Sequence, residues 1–217
     1  MKNCHSFQTK FATEAYAESR ELWDTPIFES RSFVAIPTVG ALVEGWLLVV
    51  PRTPALSFAR LSTAQFSELG KFLDAIVPPI ESAYGPVAVF EHGPAIANSS
   101  VGCGVDYAHL HLVPTRCDLL AGARKIAANI RWEQITSFDE TRKYLSFAHG
   151  YWFLKQNYRS DLCYLGTCAY GHSKSQLFRR VIANYLGRPS VFDWKISPGE
   201  SIIASTVENL SQRTLLA

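Results

Sequence analysis

The chain lacks most of the features that settle a protein's class at a glance. It has no long hydrophobic run: the longest, "WLLVV" at residues 46–50, is far too short to cross a bilayer. It has no charge of one sign in excess. Its 21 Lys and Arg stand against 19 Asp and Glu, a formal net charge of +2. That balance leaves no electrostatic footprint for duplex nucleic acid. Arg179 and Arg180 are adjacent, but a pair is not a patch. The opening "MKNCHSFQTKFATEAYAESRELWD" is polar and partly acidic, without the apolar centre of a secretory signal. Cysteine is scarce and odd in number: Cys4, Cys103, Cys117, Cys163 and Cys168 make no disulfide framework. Reduced thiols in a cytoplasm are therefore expected, with no membrane and no nucleic-acid partner. Internal repeats, low-complexity segments and linkers rich in glycine, proline or serine are also missing.

What is there is a chain of 217 residues, 47% of them hydrophobic, enough for a substantial core. Residues 9–22 carry a weak helical pattern. "PIFES", "SFVAIPT" and "GWLLVVP" read as strands, and the link between the last two suits a hairpin. "STAQFSELGKFLDAIVPPIESAYG" reads as a helix capped by Ser62 or Thr63, with Phe66, Leu69, Phe72, Leu73 and Ile76 at helical spacing. Pro78 and Pro79 are expected to end or kink it. "PVAVFEHG" is the next strand, and the glycine-bearing loop "PAIANSSVGCG" leads from it into "VDYAHLHLVP". That loop is too short for a helical crossover, so the two strands should be antiparallel and the fold α+β. Further on, "DETRKYLSFA" suits a helix, "YWFLKQN" and "LCYLGTC" strands, and "SQLFRRVIANYLG" and "ESIIASTVENLSQR" helices. Three parts are expected: an N-terminal segment 1–24, a core 25–117, and an extension 118–217 packed on it.

"VDYAHLHLVP" is the stretch that points to chemistry. Strand alternation puts Tyr107, His109, His111 and Val113 on one face, and Ala108, Leu110 and Leu112 on the other, which must be core. Alternate residues stand roughly 7 Å apart along a strand, so the two imidazoles can serve one ligand. Gly102, Cys103 and Gly104 lie just upstream, where glycines let backbone N–H groups close on an anion. A neutral imidazole is a good nucleophile toward phosphorus near pH 7, and backbone amides can stabilise the transferring phosphoryl oxygens. No metal or other cofactor is required.

On these residues the sequence resembles the histidine triad (HIT) superfamily of nucleotide hydrolases and nucleotidyltransferases. The family signature, His-φ-His-φ-His-φ-φ followed by proline or glycine, is similar to Tyr107 through Pro114 here. The resemblance continues upstream through "FVAIPTVGALVEGWLLVVPR" and "FEHGP", covering about residues 25–115. It implies a HIT-like α+β core, an antiparallel sheet with a packed helix. It implies that His109 is the nucleophile toward the α-phosphate of a nucleotide-type substrate, with His111 orienting the phosphate. Tyr107 stands where the first triad histidine is expected, and should support His109 or the leaving group. Trp46 stands where the family usually has histidine. The resemblance assigns phosphate or nucleotide contacts to Gly102, Cys103, Gly104 and Glu91, with Thr38 near the ribose position. "SQLFRRVIANYLGRP" resembles a helix of longer, bacterial-type HIT-like proteins, which would bring Ser175, Gln176 and Arg179 over the site. Relatives often dimerise through the core, so a homodimer is expected.

Plainer readings stand beside these. His109 and His111 could be polar residues of a solvent-facing strand. They could bind zinc with help from Cys4 and His5, although Phe7 replaces a possible further cysteine. Cys103 could be a thiol nucleophile with His109 as its base. Cys163, Cys168 and His172 could form a metal trio, though strand cysteines are more often core. Arg179 and Arg180 could be a solvated helix face. Trp132, Tyr151, Trp152 and Phe153 suit a core better than a base-stacking platform. A transferase using the same intermediate and a non-catalytic nucleotide binder both remain open.

Overall fold

The computed structural model describes residues 21–99, 101, 105–145, 150–168 and 175–214. Its centre is one eight-stranded sheet in which every pairing is antiparallel. The strands are β1 (Phe28–Glu29), β2 (Phe33–Pro37), β3 (Leu47–Pro51), β4 (Val87–Pro94), β5 (Leu110–Pro114), β6 (Arg131–Ile135), β7 (Gly150–Lys155) and β8 (Cys163–Thr167). Their order across the sheet is β1-β2-β3-β5-β4-β7-β8-β6. The helices are α1 (Thr63–Tyr84), α2 (Leu119–Ile126), α3 (Leu177–Tyr185) and α4 (Glu200–Thr214). The fold is thus α+β, with an antiparallel sheet and packed helices.

Alternation along the strands divides the core between two faces. Phe33, Ala35, Leu47, Val49, Val87, Val89, Leu110 and Leu112 point to one face and meet Leu69, Phe72, Leu73, Ile76, Val77 and Ile80 of α1. A capping box starts that helix: the Ser62 hydroxyl accepts from the Gln65 N–H at 3.2 Å, and the Gln65 side chain accepts from the Ser62 N–H at 2.9 Å. On the opposite face Ala88, Phe90, Val113, Trp152 and Leu154 meet Leu119 and Ala123 of α2 and Phe178, Val181 and Ile182 of α3. Residues of α4 reach both clusters, Leu210 in one and Ile203 in the other.

Three sequence expectations are corrected here. Pro78 and Pro79 do not end α1, which runs on to Tyr84. The carbonyls they leave unbonded belong to Asp74 and Ala75 on the exposed side of the helix, where water can serve them. The strand in "VDYAHLHLVP" begins only at Leu110, although His109 keeps the extended alternation. The stretch 138–144 is a 3-10 helix. Two elements are additional to the expected set, α2 and β6. Strand β6 is a sheet edge with mostly exposed or half-buried residues, so it carries no hydrophobic alternation to read. Because β7 pairs along β4, the sheet runs without a break across the expected boundary at residue 117. The segment 1–20 lies outside the described residues.

Candidate functional site

Three imidazoles meet on the face of the sheet away from α1. On β5, Leu110 and Leu112 enter the α1-side core, which turns His109 and His111 to the other face. On β4, Val87 and Val89 do the same, which turns Phe90 and His92 toward the imidazoles. The β4–β5 register sets Phe90 opposite His111. The ring centroids of His109 and His111 are 5.1 Å apart, and those of His92 and His111 are 6.0 Å apart. All three residues are buried.

Hydrogen bonds fix which nitrogen of each triad-motif ring carries its proton. The Nδ1 of His109 lies 2.7 Å from the Tyr107 carbonyl oxygen. A carbonyl only accepts, so Nδ1 is the donor and Nε2 keeps its lone pair. The Trp46 indole N–H donates to His111 Nδ1 at 3.1 Å. Indole only donates, so His111 is the opposite tautomer, with its proton on Nε2. That Nε2 is buried and has no hydrogen-bond partner among the described residues. The site therefore pairs an imidazole lone pair with an imidazole N–H donor.

Burial keeps the cluster uncharged. It lowers the His109 pKa from the ordinary value, while the bond to the Tyr107 carbonyl works against the shift. His111 is pushed well below the ordinary range, by burial first and then by His109, His92 and Arg179. His92 is pushed down to about 3, again by burial first and then by His109 and Arg179. All three are neutral near pH 7, the state a nucleophile requires. Phe90 stacks on His111 with centroids 4.5 Å apart, and Phe178 of α3 lies 5.3 Å from His92.

Other expected site residues are placed differently. The Tyr107 side chain is on the imidazole face, but its hydroxyl donates to the Pro51 carbonyl at 2.7 Å within an apolar cluster with Val34, Ile36, Leu48 and Val50. Burial pushes that phenol up to about 12, so it stays protonated. The phenol expected to support His109 or the leaving group is thus bonded to Pro51, and His109 meets position 107 at its backbone carbonyl. The placement of Glu91 is corrected. Alternation sends it to the α1 face, where it accepts from the Phe58 N–H at 2.8 Å and from the Tyr151 hydroxyl. Gly93 makes this possible, since a Cβ there would lie 2.2 Å from the Tyr151 ring. Burial raises the Glu91 pKa to about 8, against the lowering effect of those two hydrogen bonds.

Helix α3 brings Arg179 against the Trp46 ring. Arg179 is buried: its Nε donates to the Phe192 carbonyl at 2.7 Å, its Nη2 donates to the Gly40 carbonyl, and its guanidinium lies 5.1 Å from the Trp46 ring centroid. It is therefore not part of a solvated face. Gln176 holds a neighbouring turn, donating to Asp193 at 3.1 Å and accepting from the Trp194 N–H at 3.4 Å. Ser175 is exposed, and its carbonyl takes the Arg180 Nε–H at 3.0 Å. Thr38 is buried beside the Trp46 backbone, and its hydroxyl donates to the Val39 carbonyl at 3.2 Å. Gly102, Cys103 and Gly104 lie outside the described residues, as do Cys4, His5, Phe7 and His172. Flanking the first three, the Asn98 N–H donates to both carboxylate oxygens of Asp106, at 3.2 and 3.0 Å. Tyr151, Trp152 and Phe153 are core residues.

Two participants were not singled out as site residues from sequence: His92 and, as a hydrogen-bond donor, Trp46. A signal for His92 exists in "FEHGP", where it stands two residues after the buried Phe90. Among the described residues no group of three or more His, Cys, Asp and Glu side chains is arranged to hold a metal ion. No described helix is long and apolar enough to cross a membrane.

No family model matches the chain, and no curated protein matches it. Solved structures do. A HIT-like protein involved in cell-cycle regulation from Bartonella henselae, crystallised with an unknown ligand, is 17% identical. The match covers 42% of this chain and 68% of that one, with a TM-score of 0.36. A hypothetical histidine triad nucleotide-binding protein from Sulfolobus tokodaii strain 7 is 14% identical over 94% of both chains, with a TM-score of 0.41. At TM-scores below 0.5 neither likeness decides the fold, which the strand order defines directly.

Proposed function

We propose that this chain is a HIT-type enzyme acting at the α-phosphate of a nucleotide, with His109 as nucleophile. The observation that carries the reading is the 2.7 Å contact between His109 Nδ1 and the Tyr107 carbonyl, inside the motif that resembles the histidine triad. It aims a free Nε2 lone pair out of the ring. That lone pair attacks the α-phosphorus, the bond to the leaving group breaks, and the leaving group departs with the electron pair and takes up a proton from solvent. The ring now carries phosphorus on Nε2 and a proton on Nδ1 and is positive, so its bond to the Tyr107 carbonyl strengthens. The Nε2–H of His111 donates to a phosphate oxygen, and backbone amides of 102–104 are the further donors expected. Water then attacks phosphorus, the P–N bond breaks, and neutral His109 returns as a proton passes to solvent.

Loss of the first triad histidine does not disable this scheme, because any residue at 107 supplies a backbone carbonyl. Arg179 favours anion binding through its buried positive charge behind Trp46. Glu91, Gln176 and Ser175 are left out of the chemistry. The substrate class is a nucleoside phosphoramidate, dinucleoside polyphosphate or nucleotide sugar. The test is mononucleotide release from a panel of all three. Acceleration by phosphate or a sugar phosphate identifies a transferase; binding without release identifies a non-catalytic nucleotide binder.

A further inference from the structure

The residue just before β3 is tied to the triad motif more closely than its position in the chain suggests. Trp46 is fully buried, and its N–H points at His111 Nδ1 from 3.1 Å. Its ring meets the His111 ring edge-on, with centroids 5.8 Å apart. On its other side the indole is held by the Arg179 guanidinium, 5.1 Å from its ring centroid, itself anchored by the Phe192 and Gly40 carbonyls. Phe90 stacks on His111 with its ring only 21° from parallel, which fixes the imidazole plane. His111 can therefore neither rotate nor accept a proton on Nδ1 without breaking the indole bond. The titratable groups facing it are His109 just before β5, His92 on β4 and Arg179 on α3, each of which opposes a positive charge on its ring.

We propose that Trp46 is a positioning residue that locks the His111 ring in its Nε2–H tautomer, so that His111 offers the phosphate a hydrogen-bond donor rather than a lone pair. This rests on the α-phosphate reading above. Under it, Nε2–H is a buried donor without a partner among the described residues, the kind of group whose bond a substrate oxygen would complete. A free histidine would change charge between pH 5 and 8, whereas burial and the neighbouring groups hold this one uncharged, and Trp46 leaves its one proton on Nε2.

The experiment is nitrogen NMR of the histidine rings in the full chain, from pH 5.5 to 8.5, for the native protein, Trp46→Phe and Trp46→His. Nucleoside phosphoramidate turnover is followed on the same samples. Native His111 should show a protonated Nε2 and an unprotonated Nδ1 at every pH. Trp46→Phe keeps an aromatic ring but removes the donor. Its His111 should show both neutral tautomers while staying uncharged, since burial, His109, His92 and Arg179 are unchanged, and its kcat should fall about tenfold, the factor that 1.4 kcal/mol supplies. Trp46→His restores a ring N–H and should recover the single tautomer. Native His111 titrating in this range overturns the proposal without any variant having to fold, and so does an unmoved tautomer in folded Trp46→Phe. A locked His111 with no turnover of any nucleotide overturns the reaction assigned to the site and leaves the lock intact.

Discussion

Replacing Glu91 with glutamine should make the protein more stable as the pH rises. The carboxyl is 1% exposed beneath α1, bonded to the Phe58 N–H and the Tyr151 hydroxyl, and holds its proton up to about pH 8. In the unfolded chain it releases that proton near 4.5. Between these values the folded state binds one proton more than the unfolded state, so native stability falls as pH rises. The slope is about 1.4 kcal/mol per pH unit while the extra proton is held. Glutamine cannot ionise; its oxygen can accept from the Phe58 N–H, while its NH2 meets the Tyr151 hydroxyl, which must then accept where it donates to Glu91. The remaining titrations are common to both proteins and cancel in the difference. Urea unfolding at pH 5, 7 and 9 should show near-equal stability at pH 5. The advantage for Glu91→Gln should then grow to a few kcal/mol and level off above pH 8. A difference independent of pH, or a variant less stable at pH 9, would refute the placement of a neutral Glu91 in the core.

Two further outcomes follow from the same contacts. Tyr107→Phe removes the bond to the Pro51 carbonyl and should cost about 1–3 kcal/mol. At this chain length that lowers Tm by about 2–4 °C per kcal/mol, readable by calorimetry. The backbone carbonyl that holds His109 is untouched, so nucleotide release should stay within about threefold, and a much larger loss would return the phenol to the chemistry. Gly40→Ala forces a Cβ to 2.6 Å from the Trp194 Cβ and 2.7 Å from Arg179 Nη2, at φ +73°. Destabilisation beyond about 1 kcal/mol is expected in urea unfolding, with Arg179 displaced from Trp46.

Much of this was legible in the sequence because it is local. The alternation in "YAHLHLV" put His109 and His111 on one face and two leucines in the core, and both assignments match the described faces. The pattern of α1 and its Ser62 cap were equally local. What was not legible depends on pairing between distant residues. His92 joins the imidazoles only through the register of β4 against β5. Glu91 was placed on the phosphate side by resemblance, while its neighbours Phe90 and His92, one residue either way, take the opposite face. Arg179 was given to the substrate because its bonds, to the Gly40 and Phe192 carbonyls, span loops that no periodicity connects. Strand β6 is polar because it is an edge, and so it gave no signal.

The central claim is that His109 Nε2 takes the nucleotidyl group. It is tested most directly by incubating the native protein and His109→Ala with substrates labelled at the α-phosphate, quenching in alkali, and measuring label bound to protein together with mononucleotide released. The account predicts labelled protein and release from the native chain, and neither from a folded His109→Ala. Release at the native rate from His109→Ala, or label retained on that variant, would contradict it.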